Sequence, residues 1–316
     1  MSSDLQSSPS TIYIMGKGAV GSLLTAQLSS TYPVTLILRN QNNSDRSWSF
    51  SFTDLQQQET QLTVPAISSE HVSHITCLII PLKAYDIERA FLSVKDKLSP
   101  DCSIILSHNG LGTAELILPH LQPTQQLFLA STTHGAFKSA DNQVVHSGKG
   151  VTWLGLLNDC SGHSSSNSTF IQSLLNNAIP PVTIHQDILA LSWKKLAINC
   201  LINPLTAIHQ IRNGELLQQK YHKHLNKLAL EFSEVANAAG FPMTAEEVLD
   251  SAKNVMINTA KNWSSMNRDV ANRKRTEVTF ITGFICEKAL HYQINVPTHQ
   301  NLLEQILQLE VQYLNP

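Results

Sequence analysis

The segment IYIMGKGAVGSLL, residues 12–24, decides how the first half of this chain folds. A short apolar run meets three glycines in the spacing G-x-G-x-x-G, at Gly16, Gly18 and Gly21, and an apolar segment compatible with a helix follows them. In a strand–turn–helix unit the first glycine permits a tight turn, the second lets the backbone approach a pyrophosphate, and the third lets the helix pack against the strand. The segment therefore predicts a dinucleotide-binding turn, and a plain turn between strand and helix is the alternative.

The sequence around this turn alternates between β-rich and helical patterns. The candidate strands are TIYIM, PVTLILR, ITCLIIPL, CSIILSH and QLFLAST, and the candidate helices cover residues 18–30, 85–98 and 112–121. This alternation predicts βαβ units and a mostly parallel sheet. Two hairpins are also expected, one joining SFSFTDL to QLTVPAI and one within NQVVHSGKGVTWLGLL, and residues 161–169 are expected to form a loop or a short flexible insert.

The pattern changes near residue 186, beyond which long periodic segments predict helices. The predicted fold class is therefore α/β, with an N-terminal Rossmann doubly wound domain followed by an all-helical C-terminal domain. The expected boundaries are a flexible lead-in at residues 1–11, the Rossmann domain at 12–185 and the helical domain at 186–316. Because clefts between domains are preferred ligand sites, the substrate is expected to bind between the two domains.

The composition of the 316 residues excludes several classes of protein. A hydrophobic content of 42% and a charged content of 15% allow a sizeable core, and the net charge of −2 offers no basic surplus for nucleic-acid binding. No apolar run approaches the roughly 20 residues of a membrane span. Five widely spaced cysteines without a C-x-x-C pair indicate reduced thiols in the cytoplasm. The nearest approach to metal-ligand spacing, His71, His74 and Cys77, leads into a predicted strand, so no metal site is predicted.

Residues at the ends of the predicted strands indicate which dinucleotide binds. Arg39 ends the second strand, where an NAD site commonly places an acid for the ribose 2′-hydroxyl. A guanidinium binds a 2′-phosphate through paired hydrogen bonds, so Arg39 predicts NADPH, and an exposed arginine at the sheet edge is the alternative. Lys83 and Asn109 follow the next two strands and are expected near the nicotinamide half, although a lone lysine at a strand end is commonly solvated.

The helical half opens with SWKKLAINCLINPLTAI, in which Lys195, Asn199 and Asn203 have the spacing i, i+4, i+8. On a helix they form one polar stripe among apolar neighbours. A lysine in a cavity has a lowered pKa and can act as a general acid, whereas a solvated lysine with two asparagines bound to neighbouring helices explains the spacing equally well. Pro204 is expected to kink or end this helix. Farther on, Glu277 either caps the start of an apolar helix or pairs with a cationic lysine.

Taken together, these motifs resemble the ketopantoate reductases (2-dehydropantoate 2-reductases) from about residue 12 to the last helix. The resemblance depends on GKGAVG, LR after the second strand, LKA, HNG, TTHGA, WKKLAINCLINPLTAI, NGEL, SSMNRD and RTEVTFITGF. It implies a Rossmann domain with a helical domain, NADPH as cofactor, and reduction of a small-molecule 2-keto acid, ketopantoate, to pantoate for coenzyme A synthesis. It also implies a cytoplasmic enzyme with no nucleic-acid or membrane partner, and it allows a homodimer.

The resemblance implies a role for each matching residue. Lys195 corresponds to the proton donor, and Glu277 to the glutamate near the cofactor and the substrate hydroxyl. The implied substrate contacts are Asn109, Asn199, Asn203, Asn213, Asn262 and Ser265, and the implied cofactor contacts are Gly16, Lys17, Gly18, Ala19, Val20, Gly21, Arg39, Lys83, Asn109, Ala136 and Glu277. One departure is Thr279-Phe280, where an acidic–aromatic pair is expected. Two alternatives stay open: a reductase of another 2-keto acid, and a non-catalytic NADPH-binding regulator.

Overall fold

The computed structural model describes residues 11–39, 46–158 and 164–314 of the chain. As far as its residues are described, the chain divides into two compact units. The first comprises Met1–His108 and Thr113–Ile188, and the second comprises Asn109–Gly112 and Leu189–Pro316. Except for Thr11, the predicted lead-in of residues 1–11 lies outside the described residues.

The first unit contains a single mixed sheet among its described residues. Its strands are β1 (Ile12–Met15), β2 (Val34–Ile37), β3 (Ser47–Thr53), β4 (Glu59–Ile67), β5 (Ile75–Ile80), β6 (Leu98–Leu106), β7 (Gln126–Thr132), β8 (Gly135–Ala140), β9 (Gln143–Gly148), β10 (Thr152–Leu156) and β11 (Val182–Ile184). Their order is β11-β10-β7-β6-β5-β1-β2-β4-β3-β9-β8.

The centre of this sheet confirms the predicted doubly wound fold. The six strands β4-β2-β1-β5-β6-β7 are parallel, and every predicted parallel strand is among them. Chain order reverses at β1, since β2 pairs on one side of it and β5 on the other. Open α/β sheets bind their ligands at the carboxyl ends of the strands beside such a reversal.

The two predicted hairpins have different outcomes. The first is confirmed, because β3 and β4 pair antiparallel from Ser47 opposite Pro65 to Thr53 opposite Glu59. The second is wrong, because β9 pairs with β8 and β3, while β10 pairs with β7 and β11. β9 therefore forms its hairpin with the preceding strand β8, and β10 joins the other side of the sheet beside β7.

The three predicted helices of the first unit are shorter than the sequence pattern indicates, and a fourth forms beyond them. They are α1 (Ala19–Leu28), α2 (Ala84–Leu92), α3 (Thr113–Ile117) and α4 (Ser164–Asn176). The predicted loop at residues 161–169 is wrong from Ser164 onward, where α4 begins. Its side chains Ile171, Leu174 and Leu175 are fully buried in the core of this unit. Their packing outweighs the weak helix propensity of the serines, as tertiary contacts commonly do.

The second unit is helical throughout its described residues. It contains α5 (Ile188–His209, of which Ile188 is assigned to the first unit), α6 (Gln219–Ala238), α7 (Ala245–Asn258), α8 (Ser265–Ala271), α9 (Thr282–His291) and α10 (Pro297–Leu314). Trp193 lies at the centre of its core, with ring centroids 5.0 to 5.9 Å from those of Phe232, Phe241 and Phe284.

The helix α5 does not end at Pro204, although the sequence favoured a kink or an end there. It continues to His209. A proline inside a helix removes one backbone hydrogen bond and costs about 3 kcal/mol or more. Leu201, Ile202 and Leu205 are buried around it, and each such side chain contributes about 1.5–3 kcal/mol, which offsets this cost.

None of the helices in the described ranges is long and apolar enough to cross a membrane. Over the same residues, no three His, Cys, Asp or Glu side chains converge as metal ligands. Cys77, the cysteine of the candidate metal spacing, is buried in β5, and burial raises the pKa of its thiol to about 12.

Candidate active site

The glycine turn between β1 and α1 has the local geometry that a dinucleotide needs. Gly16 has φ +84°, and a side chain there would overlap Leu82. A Cβ at Gly21 would lie 2.6 Å from the carbonyl oxygen of Gly16, so the third glycine allows the close approach of helix and strand. A Cβ at Gly18 would meet no atom within 4 Å, so the surface at the second glycine is open. The residues present therefore fit a pyrophosphate at this turn.

The start of α1 is also suited to an anion. Gly18 is the N-cap residue, no side chain caps the helix, and its first turn contains no acid. Ala19 and Val20 occupy the first two helical positions, where backbone N–H groups have no partner within the helix. These donors and the positive end of the helix dipole can stabilise a phosphate.

Lys17, which the sequence placed beside the phosphates, contacts an aromatic ring. Its Nζ lies 5.8 Å from the centroid of Trp48 on β3, within the range of a cation–π interaction. Ala136 lies on β8, where it pairs with His146 of β9 and packs against the core of the first unit. Neighbouring His134 contacts His146 through ring nitrogens 3.0 Å apart.

Arg39 lies directly after β2 in an exposed ion cluster that the sequence analysis missed. Its Nη2 is 3.1 Å from Oδ1 of Asp86, and Arg89 donates to the same oxygen from the next turn of α2. Lys83 is the N-cap residue of α2 and is partly buried. The i, i+3 spacing of Asp86 and Arg89 indicates their contact on one face of α2. The contact of Arg39 with Asp86 has no such local signal. It depends on strand order, because β2 and β5 both flank β1 and their carboxyl ends lie on the same edge of the sheet.

The polar stripe of α5 lies in the second unit and is largely removed from solvent. Lys195 and Asn199 are partly buried and Asn203 is buried, whereas Lys194 is exposed. Burial lowers the pKa of Lys195 to about 8, and the Glu277 carboxylate acts in the opposite direction. Burial therefore disfavours the solvated-lysine alternative, and a lysine of this pKa exchanges a proton near neutral pH.

Glu277 does not cap a helix. It takes the N-cap position of a 3-10 turn, Val278–Phe280, but its side chain accepts no capping hydrogen bond there, and α9 begins only at Thr282. Glu277 is 4% exposed, and its Oε2 accepts a hydrogen bond from Nδ2 of Asn109 at 3.4 Å. Its carboxylate also interacts electrostatically with Lys195, so the structure favours the pairing alternative.

Asn109 reaches Glu277 through a glycine-rich segment that packs on the same 3-10 turn. Gly110 has φ +88°, and an added Cβ would lie 2.7 Å from the carbonyl carbon of Phe280. The N–H of Leu111 donates to the Phe280 oxygen at 2.9 Å, and Leu111 is buried in the core of the second unit. This contact holds Asn109 beside Glu277, and it explains why the HNG motif needs its glycine.

The backbone before Glu277 is fixed by a second acid, which the sequence analysis also missed. Oε1 of Glu310, on α10, accepts the backbone N–H of Thr276 at 2.6 Å, and Thr276 Oγ1 accepts the N–H of Val278 at 3.1 Å. Glu310 and Thr276 are both buried. No local pattern in the sequence indicates this contact, because the two residues lie 34 positions apart.

The remaining predicted substrate residues lie on neighbouring turns of the second unit. Nδ2 of Asn213 donates to Thr259 Oγ1 at 2.9 Å, and its backbone N–H donates to the carbonyl of Asn262 at 3.0 Å. The side chains of Asn262 and Ser265 are exposed. The preceding residue, Ser264, is the N-cap of α8, and its side chain accepts the backbone N–H of Asn267.

Comparisons with known proteins identify the family. A model of the family described as ketopantoate reductase PanE/ApbA matches residues 12–159, and a model of its C-terminal part matches residues 187–310. The 2-dehydropantoate 2-reductase of Vibrio cholerae serotype O1 is 35% identical over 300 residues, which are 95% of this chain and 97% of that protein.

Solved structures share the fold at lower identity. D-mandelate dehydrogenase, in a ternary structure with NADH and anilino(oxo)acetate, has a TM-score of 0.85 at 21% identity, covering 96% of this chain and 99% of its own. A PanE/ApbA family ketopantoate reductase from Ralstonia eutropha JMP134 has a TM-score of 0.84 at 22% identity, covering 96% and 100%. The matches over both halves confirm the resemblance seen in the sequence motifs: the chain belongs to the ketopantoate reductase family of oxidoreductases.

Proposed function

We propose that this protein reduces ketopantoate to pantoate with NADPH, and so supplies pantoate for coenzyme A synthesis. The observation that carries the proposal is the group formed by Lys195, Glu277 and Asn109 in the second unit, in which a partly buried lysine with a pKa of about 8 interacts with a buried carboxylate. The curated relative from Vibrio cholerae, named 2-dehydropantoate 2-reductase, supports the choice of substrate.

The first unit holds NADPH in this proposal. The turn at Gly16, Gly18 and Gly21 accommodates the pyrophosphate, and the guanidinium of Arg39 binds the 2′-phosphate. Lys83 is placed on the same edge of the sheet, at the start of α2. When bound, the cofactor supplies the hydride, and the protein contributes binding, orientation and electrostatics.

The second unit supplies the proton. Lys195 donates it to the carbonyl oxygen of the substrate as negative charge develops there, which is favourable because its pKa of about 8 lies near neutral pH. Glu277 raises the pKa of Lys195 against the effect of burial, so that the ammonium form is retained. Asn109 orients Glu277 through its amide.

The substrate is oriented by uncharged polar groups. Asn199 and Asn203 lie on the same stripe of α5 as Lys195, and the hydroxyl of Ser265 is exposed at the start of α8. Amides and hydroxyls can form hydrogen bonds with the carboxylate and hydroxyl of ketopantoate. They do not compete with Lys195 as proton donors, because they do not ionise near neutral pH. Asn213 acts mainly through its contact with Thr259, which positions the neighbouring Asn262.

Replacement of the two adjacent lysines tests this function. Lys195→Met should lower kcat with ketopantoate by about 10²–10⁴-fold, the usual contribution of a positioned general acid, while NADPH binding is retained. Lys194→Met is the matched control, because Lys194 is exposed and next in sequence, and it should leave kcat unchanged. Equal activity of the two variants would refute the proton-donor role.

The cofactor assignment is tested separately. Arg39→Asp should shift the ratio of kcat/KM from NADPH toward NADH, because a carboxylate repels the 2′-phosphate and accepts a hydrogen bond from a 2′-hydroxyl. An unchanged ratio would refute the role of Arg39.

A second candidate function is reduction of a different 2-keto acid by the same residues. The interaction of Lys195 with Glu277 favours this alternative over a non-catalytic regulator, because a regulator needs no proton donor. A panel of 2-keto acids, measured by oxidation of NADPH, separates the two reductase functions. Tight NADPH binding without turnover of any 2-keto acid would instead indicate the regulator.

A further inference from the structure

Three charged side chains meet at one edge of the sheet in the first unit. Asp86 accepts hydrogen bonds from Arg39, which follows β2, and from Arg89, one turn farther along α2. The side chains of Arg39 and Arg89 are each 65% exposed, and that of Asp86 is 30% exposed, so an incoming ligand can reach all three.

The position of this cluster is informative because of strand order. The parallel strands β2 and β5 flank β1, so their carboxyl ends lie on the same edge as the turn at Gly16. In doubly wound folds, the acid that binds the ribose 2′-hydroxyl of NAD stands at the end of the second strand, and an arginine nearby accommodates the 2′-phosphate of NADP. Here the arginine stands at the strand end and an acid reaches it from α2.

The two kinds of group have opposite effects on a bound nucleotide. Arg39 and Arg89 attract a 2′-phosphate, and each offers several N–H donors. Asp86 repels that phosphate and already occupies donors of both guanidinium groups. A 2′-hydroxyl carries no charge, and it can donate a hydrogen bond to the carboxylate.

On the basis of the proposed NADPH-dependent reduction, we propose that Asp86 is a specificity residue that weakens the preference for NADPH and lets the enzyme also use NADH. Arg89 is the second guanidinium of the 2′-phosphate site and binds that group together with Arg39 when the phosphate displaces Asp86.

Binding of two small nucleotides tests this without catalysis. Adenosine 2′,5′-bisphosphate and 5′-AMP differ in the 2′-phosphate alone, so calorimetric titration of the whole protein with each isolates its contribution. Asp86→Asn should increase the affinity for the bisphosphate about tenfold, the effect expected from removing one nearby partly screened charge. It should not increase the affinity for 5′-AMP. Arg89→Ala should weaken the bisphosphate several-fold and leave 5′-AMP unchanged.

A matched control removes the same charge elsewhere in this unit. Asp141 is exposed and lies 3.8 Å from Lys138 on β8, so Asp141→Asn also breaks a surface ion pair. It should change neither affinity. In kinetics with ketopantoate, the ratio of kcat/KM for NADPH over NADH should rise about tenfold in Asp86→Asn and stay constant in Asp141→Asn.

The outcomes separate this inference from the proposed function. If the unaltered protein prefers the bisphosphate and Asp86→Asn does not increase that preference, Asp86 is not a specificity residue and the NADPH assignment stands. If the unaltered protein does not distinguish the two nucleotides and Arg39→Ala changes nothing, the 2′-phosphate site itself is wrong and both proposals fall.

Discussion

Replacing Gly110 by alanine should damage both stability and catalysis, and Gly240 provides the control. Both glycines lie in the second unit with nearly equal positive φ, +88° at Gly110 and +85° at Gly240. They differ in their surroundings. An added Cβ at Gly110 would press on the carbonyl group of Phe280, whereas one at Gly240 would meet no atom within 4 Å.

The magnitudes follow from this difference. A left-handed conformation costs an alanine about 1–2 kcal/mol, and both variants incur that cost. Gly110→Ala also has to displace Phe280, and overpacking of this kind costs about 1–3 kcal/mol. The shift breaks the hydrogen bond from Leu111 to Phe280, which is worth about 0.5–1.5 kcal/mol. We therefore expect Gly110→Ala to be less stable than Gly240→Ala by about 2–4 kcal/mol.

Three measurements check this prediction. Urea unfolding gives the stability difference, and hydrogen exchange of a peptide containing residue 111 reports the broken hydrogen bond directly. In steady-state kinetics kcat should fall at least about tenfold in Gly110→Ala, because Asn109 moves away from Glu277 and 1.4 kcal/mol corresponds to tenfold. Equal stability, exchange and kcat in the two alanine variants would refute the reasoning.

Three further predictions concern charged side chains. The rate should fall as pH rises through about 8, where Lys195 loses its proton, and Glu277→Gln should move this decline to lower pH in a kcat/KM profile. Burial would raise the pKa of Glu231, but hydrogen bonds from His299 and the start of α10 lower it to about 2. The ionised Glu231 therefore contributes up to about 3 kcal/mol to the free energy of unfolding above pH 4.5, and this contribution is lost toward pH 2. Glu231→Gln should flatten the acidic part of a plot of urea midpoint against pH. Glu310→Ala should destabilise by about 1–3 kcal/mol and lower kcat, whereas Glu310→Gln, which keeps an acceptor, should restore both.

Local sequence patterns predicted the parallel half of the sheet well. The strands β1, β2 and β5 are short, mostly apolar and largely buried runs, as strands covered on both faces are. The second hairpin failed because β9 pairs with β8 and β3, and β10 pairs with β7 and β11. The serines at the start of α4 predicted a loop, since the stabilising contacts come from Ile171, Leu174 and Leu175 farther along the helix.

The candidate site was also predicted only in part, because local patterns indicate single residues but not contacts between distant segments. Lys195 and Asn203 follow from helical spacing within one segment, and Glu277 from its position before an apolar run. The contact of Asp86 with Arg39 joins residues 47 positions apart, and that of Glu310 with Thr276 joins residues 34 positions apart. Neither pair has a local signature, because strand order and helix packing bring its members together.

The short segment Asn109–Gly112 has a consequence for dissecting this protein. It belongs to the helical unit, although the chain on both sides of it belongs to the first unit. A gene fragment encoding residues 189–316 would therefore produce helices without the N–H that binds the Phe280 carbonyl and without the amide that binds Glu277. A chimera that joins the helical half to another first half should therefore keep residues 109–112 of this chain, because they belong to the helical unit.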